Sequence, residues 1–310
     1  MAQDYQRRFG EITGQPEGTW YPDRDSVRLN ELHAHNRTGI SGIRTDGADA
    51  IVLSGGYEDD EDHGDAIVYT GHGGQKNGSQ AEDQDLNDTG NAALVKNQLE
   101  RLPVRVIRGW QARTDYSPSN GYRYDGLYRV MRHWFKTRDD GYRVCQFLLV
   151  KISSSRELED RNYLPTEPEN LDSGHDHEAG SPAERVLSTR IRRNSKVTEN
   201  VKNWHSNRCQ VCGNTIALPV GPRSEAAHIQ PLGFPHDGPD IESNALCLCP
   251  NDHLRFDNGA LYLTDDLAIV DAFTGSIMGE LRRHPSHRID IRYVREHRKC
   301  WVKEEPPGDA

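Results

Sequence analysis

The sequence predicts a two-domain α+β protein, and three observations predict it. Residues 27–151 alternate short, β-branched apolar runs with Gly-rich turns, the pattern of a strand-rich domain. At about residue 152 the composition turns polar and acidic and carries Pro165, Pro168 and Pro182. Beyond that break, four of the six cysteines fall between Cys209 and Cys249, as C-x2-C followed by C-x-C. A chain of 310 residues suits about two domains, each large enough to bury a core.

Taken in order, Ala50–Leu53, Ala66–Tyr69, Val104–Ile107, Tyr128–Val130 and Val144–Val150 read as strands, because each is short, rich in Val and Ile, and bounded by Gly, Asp or Asn. Asn91–Leu99 reads as a helix, with Ala92, Val95 and Leu99 on one face. Residues 1–152 are therefore expected to form a curved β-sheet or barrel with flanking helices. Residues 153–183 form an acidic spacer: from Ser153 to Gly180 eight acids face two bases. The second domain, 184–310, opens on a helix capped by Ser181-Pro182-Ala183-Glu184. That helix carries Arg185, Arg190, Arg192, Arg193, Lys196 and Lys202.

Charge and hydropathy exclude several classes. With 38 Lys plus Arg against 48 Asp plus Glu the net charge is −10, which argues against a histone-like coat of nucleic acid. Local excess is still available: residues 101–151 hold eleven bases and four acids, the place from which phosphate contacts are expected. The longest apolar runs fall far short of the ~18–20 residues that cross a bilayer, and residues 1–10 lack the apolar core of a signal peptide. A soluble, cytoplasmic protein with no membrane partner is expected, and in a reducing compartment clustered cysteines bind metal rather than pair.

Cys209-Gln210-Val211-Cys212-Gly213 has the spacing of a zinc knuckle: two thiolates two residues apart reach one tetrahedral ion, and Gly213 allows the turn. Cys249 closes that structural zinc site from a later segment. The fourth ligand is Cys247 or Asp252, and the soft thiolate of Cys247 is favoured on chemistry.

Between and after the cysteine pairs stand Glu225-Ala226-Ala227-His228-Ile229, then Glu242-Ser243-Asn244-Ala245-Leu246, then Asn251-Asp252-His253-Leu254-Arg255-Phe256-Asp257. This region, about Lys202–Tyr262, resembles the HNH nuclease family, whose ββα-metal finger lies over a zinc-stapled core. The resemblance implies that His228 is the general base that activates water, a task suited to imidazole. It implies that Asn244 orients the catalytic loop and that His253 binds the catalytic metal. Asp257, four residues on, shares the helical face of His253 and joins it on one Mg²⁺ or Mn²⁺. Many relatives carry Asp or His immediately before the base as a further ligand; here Ala227 stands there, so fewer protein ligands are expected.

The first domain carries a second resemblance. Ser54 to Asp65, Tyr69-Thr70-Gly71-His72-Gly73-Gly74, Asp83-Gln84, Gly90-Asn91, Pro103 to Arg108 and Tyr124-Asp125-Gly126-Leu127-Tyr128 follow one another as in the SRA, or YDG, domain. That family reads modified cytosine flipped out of the DNA duplex. The resemblance implies that Tyr57 and Tyr69 stack on the flipped base and that Asp60 accepts from its exocyclic amine. Thr70 and Gly71 line the wall beside its 5-position. Of the acids in Glu58–Asp62, only Asp60 is expected in the pocket; Tyr124 and Asp125 are expected to hold the fold. Arg37, Lys76, Asn77 and Gln80, in two polar Gly-rich loops, are candidates to enter the DNA grooves.

Together the resemblances imply a modification-dependent restriction endonuclease acting on double-stranded DNA that contains 5-methylcytosine, with 5-hydroxymethylcytosine as a further mark. Cutting both strands implies a homodimer or two successive binding events. The rivals are an HNH nuclease indifferent to modification and a non-catalytic methyl-DNA binding protein.

Overall fold

The computed structural model describes residues 5–76, 78–152 and 195–303. Contacts divide the chain into two compact units, Met1–Glu184 and Arg185–Ala310. The expected acidic spacer and the bases Arg185 to Arg193 lie outside the described residues, as does Asn77.

In the first unit the predicted strands are present and longer than their apolar cores: Gly47–Leu53, Ala66–Thr70, Pro103–Gly109, Tyr122–Thr137 and Arg143–Lys151. Hydrogen bonding continues past the Val- and Ile-rich stretches because polar residues at strand ends still pair their backbones. The sheet has eight strands, and its order runs from Ile40–Ile43 through Gly47–Leu53, Pro103–Gly109, Tyr122–Thr137, Arg143–Lys151 and Ala66–Thr70 to Glu61–Asp62, with Trp20–Tyr21 pairing onto Tyr122–Thr137. Gly47–Leu53 and Pro103–Gly109 run parallel, so a crossover must join them. The helix Thr89–Glu100 lies within that connection, and its Ala93 and Leu94 enter the core with Ile51, Ile67, Val104, Phe147 and Leu149. All seven residues of Gly47–Leu53 are buried, as expected of a strand covered on both faces.

Two buried charge clusters tie the edges of this unit down. Arg105 and Asp49, both with fully buried side chains, pair at 2.8 Å, and Arg105 also donates to the carbonyls of Arg8, Gly10 and Leu32. Arg108 binds Asp62 at 2.7 Å and Asp125 at 2.8 Å. Tyr124 is buried and donates to Glu11 at 2.7 Å. Tyr124 and Asp125 thus hold the fold, as the sequence suggested.

The second unit is built on an antiparallel pair, Glu225–His228 with Ala245–Leu248, followed directly by the helix Pro250–Asp257: a ββα arrangement. Pro250 at the first helical position and the Cys249 sulfur accepting from Asp252 N start that helix. A three-stranded sheet, Leu261–Leu263, Ala268–Asp271 and Ile277–Glu280, follows. The helix Ile291–Lys299 then closes on it, stacking His297 on Phe256 at 3.8 Å between ring centroids. Among the described residues no helix is long and apolar enough to cross a membrane.

Candidate functional site

In the first unit, the loop after Gly47–Leu53 and the strand Ala66–Thr70 meet. Asp60 Oδ1 accepts from the backbone N–H of Thr70 at 2.7 Å, which sets the carboxylate beside Tyr69. Tyr57 Oη accepts from Gly73 N at 3.0 Å, bringing the next loop over the same place. Burial raises the Tyr69 hydroxyl well above its ordinary value, with Asp60 and then Tyr57 adding to it. Burial also pushes the Asp60 carboxyl up to about 7, partly opposed by its bonds to Thr70.

The other acids of the run are spoken for. Glu58 and Asp59 pair with Arg138, and Asp59 also with Lys136 at 3.3 Å. Asp62 is the buried partner of Arg108. Glu61 faces His63 at 3.6 Å. Among the described residues Asp60 is the one acid of Glu58–Asp62 with no such basic side chain against it, and its charge acts on both Tyr57 and Tyr69.

Residues whose roles the sequence did not reveal hold this wall in place. Buried Gln84 donates to Gly71 O at 2.8 Å and accepts from Cys145 N at 2.9 Å. Buried Asn91 accepts from His72 N at 2.9 Å and donates to His72 O at 3.0 Å. A Cβ on Gly71 would meet Asn91 Oδ1 at 2.5 Å, and one on Gly39 would meet Tyr69 Oη at 2.6 Å. Both glycines are therefore close-approach positions, beside Asn91 and Tyr69. Arg24 donates to the carbonyls of His35 and Thr38, at 2.9 and 2.7 Å, and so shapes the loop that bears exposed Arg37. Lys76 and Gln80 lie in the small hairpin Gln75–Lys76 with Ser79–Gln80; Lys76 pairs with Glu82 at 2.5 Å.

The base-rich stretch 101–151 is not an open cationic face. Arg105, Arg108, Arg123, Lys136, Arg138 and Lys151 each pair with an acid of the same unit. Its local excess is largely spent on internal ion pairs, which a residue count does not distinguish from free charge.

In the second unit, His228 ends its strand with Nε2 2.9 Å from Asp240 Oδ1. Asn244 is fully buried: Oδ1 accepts from Gln230 N at 2.8 Å, and Nδ2 donates to the carbonyls of Gln230 and Pro239, each at 2.9 Å. This amide staples the loop 230–239 and so sets Asp240 against His228. His253 lies between two carboxylates, Glu225 Oε2 at 2.6 Å from Nδ1 and Asp257 Oδ2 at 3.3 Å from Nε2. Burial acts to lower the His253 pKa, but Asp257 and Glu225 outweigh it and hold the imidazole at about 9. Asp240 and Glu225 escaped the sequence reading because neither stands in a recognisable spacing; only the folded loop and strand bring them to the histidines. Arg255, a rival partner for Asp257, instead faces Asp252 and Asp271.

The cysteine cluster corrects one expectation. Sγ of Cys209, Cys212 and Cys249 and an oxygen of Asp252 lie within 4.8 Å of one another. Cys247 is not among them. It lies inside the strand, opposite Ala226, with its thiol 3.3 Å from Ser224 Oγ, whereas the strand stops at Leu248 and Cys249 already caps the helix. The two thiols therefore do not share a face. Cys212 and Cys249 sulfurs stand 3.8 Å apart, and Asp252 Oδ2 lies 3.2 and 3.4 Å from Cys209 and Cys249. A tetrahedral ion ~2.3 Å from sulfur sets its sulfurs ~3.8 Å apart, so the donor set fits such a metal. Buried Gln210 pins the knuckle to the strand through Cys247 N at 2.8 Å.

Comparison with known proteins gives two family matches: the SAD/SRA domain over residues 8–155 and the HNH endonuclease over residues 209–264. A UHRF1-like protein of Cryptococcus neoformans is 36% identical over 186 residues, 56% of this chain and 52% of that protein. The chain thus spans about half the length of that curated relative. Among solved structures, a modification-dependent TagI restriction endonuclease is 51% identical, covering 99% of this chain and 100% of that one, with a TM-score of 0.49. The SRA domain of SUVH5 in complex with fully methylated CG DNA is 36% identical over 48% of this chain and 96% of that one, with a TM-score of 0.42.

Proposed function

Because the chain belongs to the family that joins an SAD/SRA domain to an HNH endonuclease domain, we propose that it is a modification-dependent restriction endonuclease. Its substrate is double-stranded DNA carrying 5-methylcytosine, with 5-hydroxymethylcytosine as a second mark. One observation carries the reading of the first domain: Asp60, without a cationic partner, is bound to the backbone of Thr70 and, where burial raises the hydroxyl pKa of both Tyr57 and Tyr69, is close enough to raise it further. A flipped cytosine stacked between the two rings presents its amine to that carboxylate, whereas thymine presents an oxygen there and is refused. Thr70 and Gly71 form the wall at the 5-position. Arg37, Lys76, Asn77 and Gln80 enter the grooves around the vacated base.

In the second domain His228 takes the proton of the attacking water. Asp240 accepts the Nε2 proton of His228, which leaves Nδ1 with the lone pair that does this work. Asn244 keeps the loop bearing Asp240 in position. His253 and Asp257 hold a divalent cation, Mg²⁺ or Mn²⁺. Their nitrogen and oxygen are 3.3 Å apart, close to the ~3 Å between adjacent ligands of an octahedral ion at ~2.1 Å. When bound, such a cation would supply positive charge to the scissile phosphate and the departing oxygen. Cys209, Cys212, Cys249 and Asp252 hold a structural Zn²⁺. Cleavage of both strands uses a homodimer or two binding events.

Matched plasmids, unmodified, 5-methylated and 5-hydroxymethylated, test the reading with Mg²⁺ or Mn²⁺ present. Cutting confined to modified DNA is expected. Equal cutting of unmodified DNA refutes the reader role, and no cutting of any plasmid leaves a binding protein. Tyr57→Ala and Asp60→Ala are expected to abolish the preference for modified DNA.

A further inference from the structure

We propose that Glu225 is the positioning residue of the catalytic metal centre: its carboxylate accepts a hydrogen bond from the Nδ1–H of His253 and thereby commits Nε2 to the cation shared with Asp257. The inference rests on the nuclease reading above and deepens it.

The geometry separates the two carboxylates by task. Glu225 Oε2 lies 2.6 Å from Nδ1, the length of a direct charge-assisted hydrogen bond. Asp257 Oδ2 lies 3.3 Å from Nε2, longer than the Glu225 contact and close to the spacing of two ligands on one ion. The two ring nitrogens point away from each other, so one ion cannot sit on both. A neutral imidazole has one N–H and one lone pair, and a ligating histidine gives its N–H to an oriented acceptor. Glu225 is that acceptor here.

Strand geometry explains why this residue does so. Side chains alternate along Glu225–His228, so Glu225 and Ala227 share one face and His228 takes the other. Ala227, with no donor atom, is fully buried against the core. The face that in many relatives carries a ligand directly before the base therefore carries its carboxylate two residues earlier. At that distance it reaches the far side of His253. With His253 and Asp257 as the protein ligands, affinity depends on one imidazole held in one tautomer, and Glu225 holds it.

The test is Mn²⁺ binding to the full chain, followed by electron paramagnetic resonance titration, with His253→Ala as the reference for loss of the site and zinc content as the check on folding. Glu225→Ala is expected to weaken Mn²⁺ binding by ~10–100-fold. Glu225→Gln retains an oxygen that accepts from Nδ1–H and is expected to recover most of that loss. Full Mn²⁺ affinity in Glu225→Ala overturns the proposal. So does a Glu225→Gln variant as weak as the alanine, which makes the charge or direct ligation the contribution. If the wild-type chain binds no more Mn²⁺ than His253→Ala, the metal-centre reading itself fails, and this inference fails with it.

Discussion

His228 Nε2 stands 2.9 Å from Asp240 Oδ1, and the loop that carries Asp240 is stapled at Pro239 and Gln230 by the buried amide of Asn244. His228, Asp240 and Asn244 therefore form one chain of contacts. Asp240→Asn keeps the size of the side chain but offers N–H to Nε2, which favours the imidazole tautomer with the proton on the wrong nitrogen. Single-turnover cleavage of 5-methylated DNA is expected to fall by about 10²-fold or more, with DNA binding unchanged. His228→Ala is expected to fall at least as far while still binding. Cleavage by His228→Ala at the wild-type rate removes the imidazole from the mechanism, and cleavage by Asp240→Asn at that rate removes the orienting role of Asp240.

The raised carboxyl of Asp60 gives a stability prediction whose sign can be worked out. Its folded-state pKa, about 7, lies above the unfolded value near 3.8. Between those values the native state holds a proton that the unfolded state has lost, so stability falls as pH rises from about 4 to 7 and is flat beyond. Asp60→Asn removes this penalty and keeps an oxygen for Thr70 N. The variant is expected to melt a few degrees above wild type at pH 8 and to converge with it near pH 4. A difference independent of pH contradicts a buried, proton-binding Asp60.

Much of this was legible in the sequence. Tyr57, Asp60 and Tyr69 come together as their motif order implies, and His228, Asn244 and His253 fall on the strand, the turn and the helix of a ββα unit. What escaped the sequence lies in tertiary partners. The acids and bases of Glu58–Asp62 and Arg101–Lys151 look like separate patches in the sequence, yet Arg108 with Asp62 and Arg138 with Asp59 neutralise one another across the sheet. Gln84, Asn91 and Gly39 carry no chemistry of their own, so only the folded wall shows why amides and a missing Cβ are required there.

That wall predicts the effect of a single methyl group. A Cβ at position 39 would lie 2.6 Å from Tyr69 Oη and 3.9 Å from its Cζ. Gly39→Ala must therefore push the Tyr69 phenol, at a cost of ~1–3 kcal/mol, and with it the ring proposed to stack on the flipped base. Binding of 5-methylated DNA is expected to weaken by about tenfold or more, measured by fluorescence anisotropy. Adding Tyr69→Phe removes the clashing oxygen while keeping the ring, so the double variant is expected to regain affinity over Gly39→Ala alone. If it does not, the clash is not the cause.

The cysteine cluster separates two proposed zinc-ligand sets that chemistry alone ranked the other way. Preference for a soft donor favoured Cys247, but donor softness acts only on atoms that reach the ion. The Cys247 thiol is held in the strand beside Ser224, and Asp252 sits one helical turn past Cys249 with its carboxylate among the three sulfurs. Cys247→Ser is therefore expected to retain one zinc per chain, measured by atomic absorption, and to melt close to wild type. Asp252→Ala is expected to lose zinc or bind it weakly and to melt lower, because the knuckle and the start of the catalytic helix lose their common anchor. Asp252→Cys places a thiolate on the same turn and is expected to restore zinc. Loss of zinc in Cys247→Ser with retention in Asp252→Ala reverses the assignment. With Asp252 as a ligand three residues after Cys249, the bound zinc would be tied to the turn that carries His253, so zinc removal is expected to weaken Mn²⁺ binding at a site it does not touch.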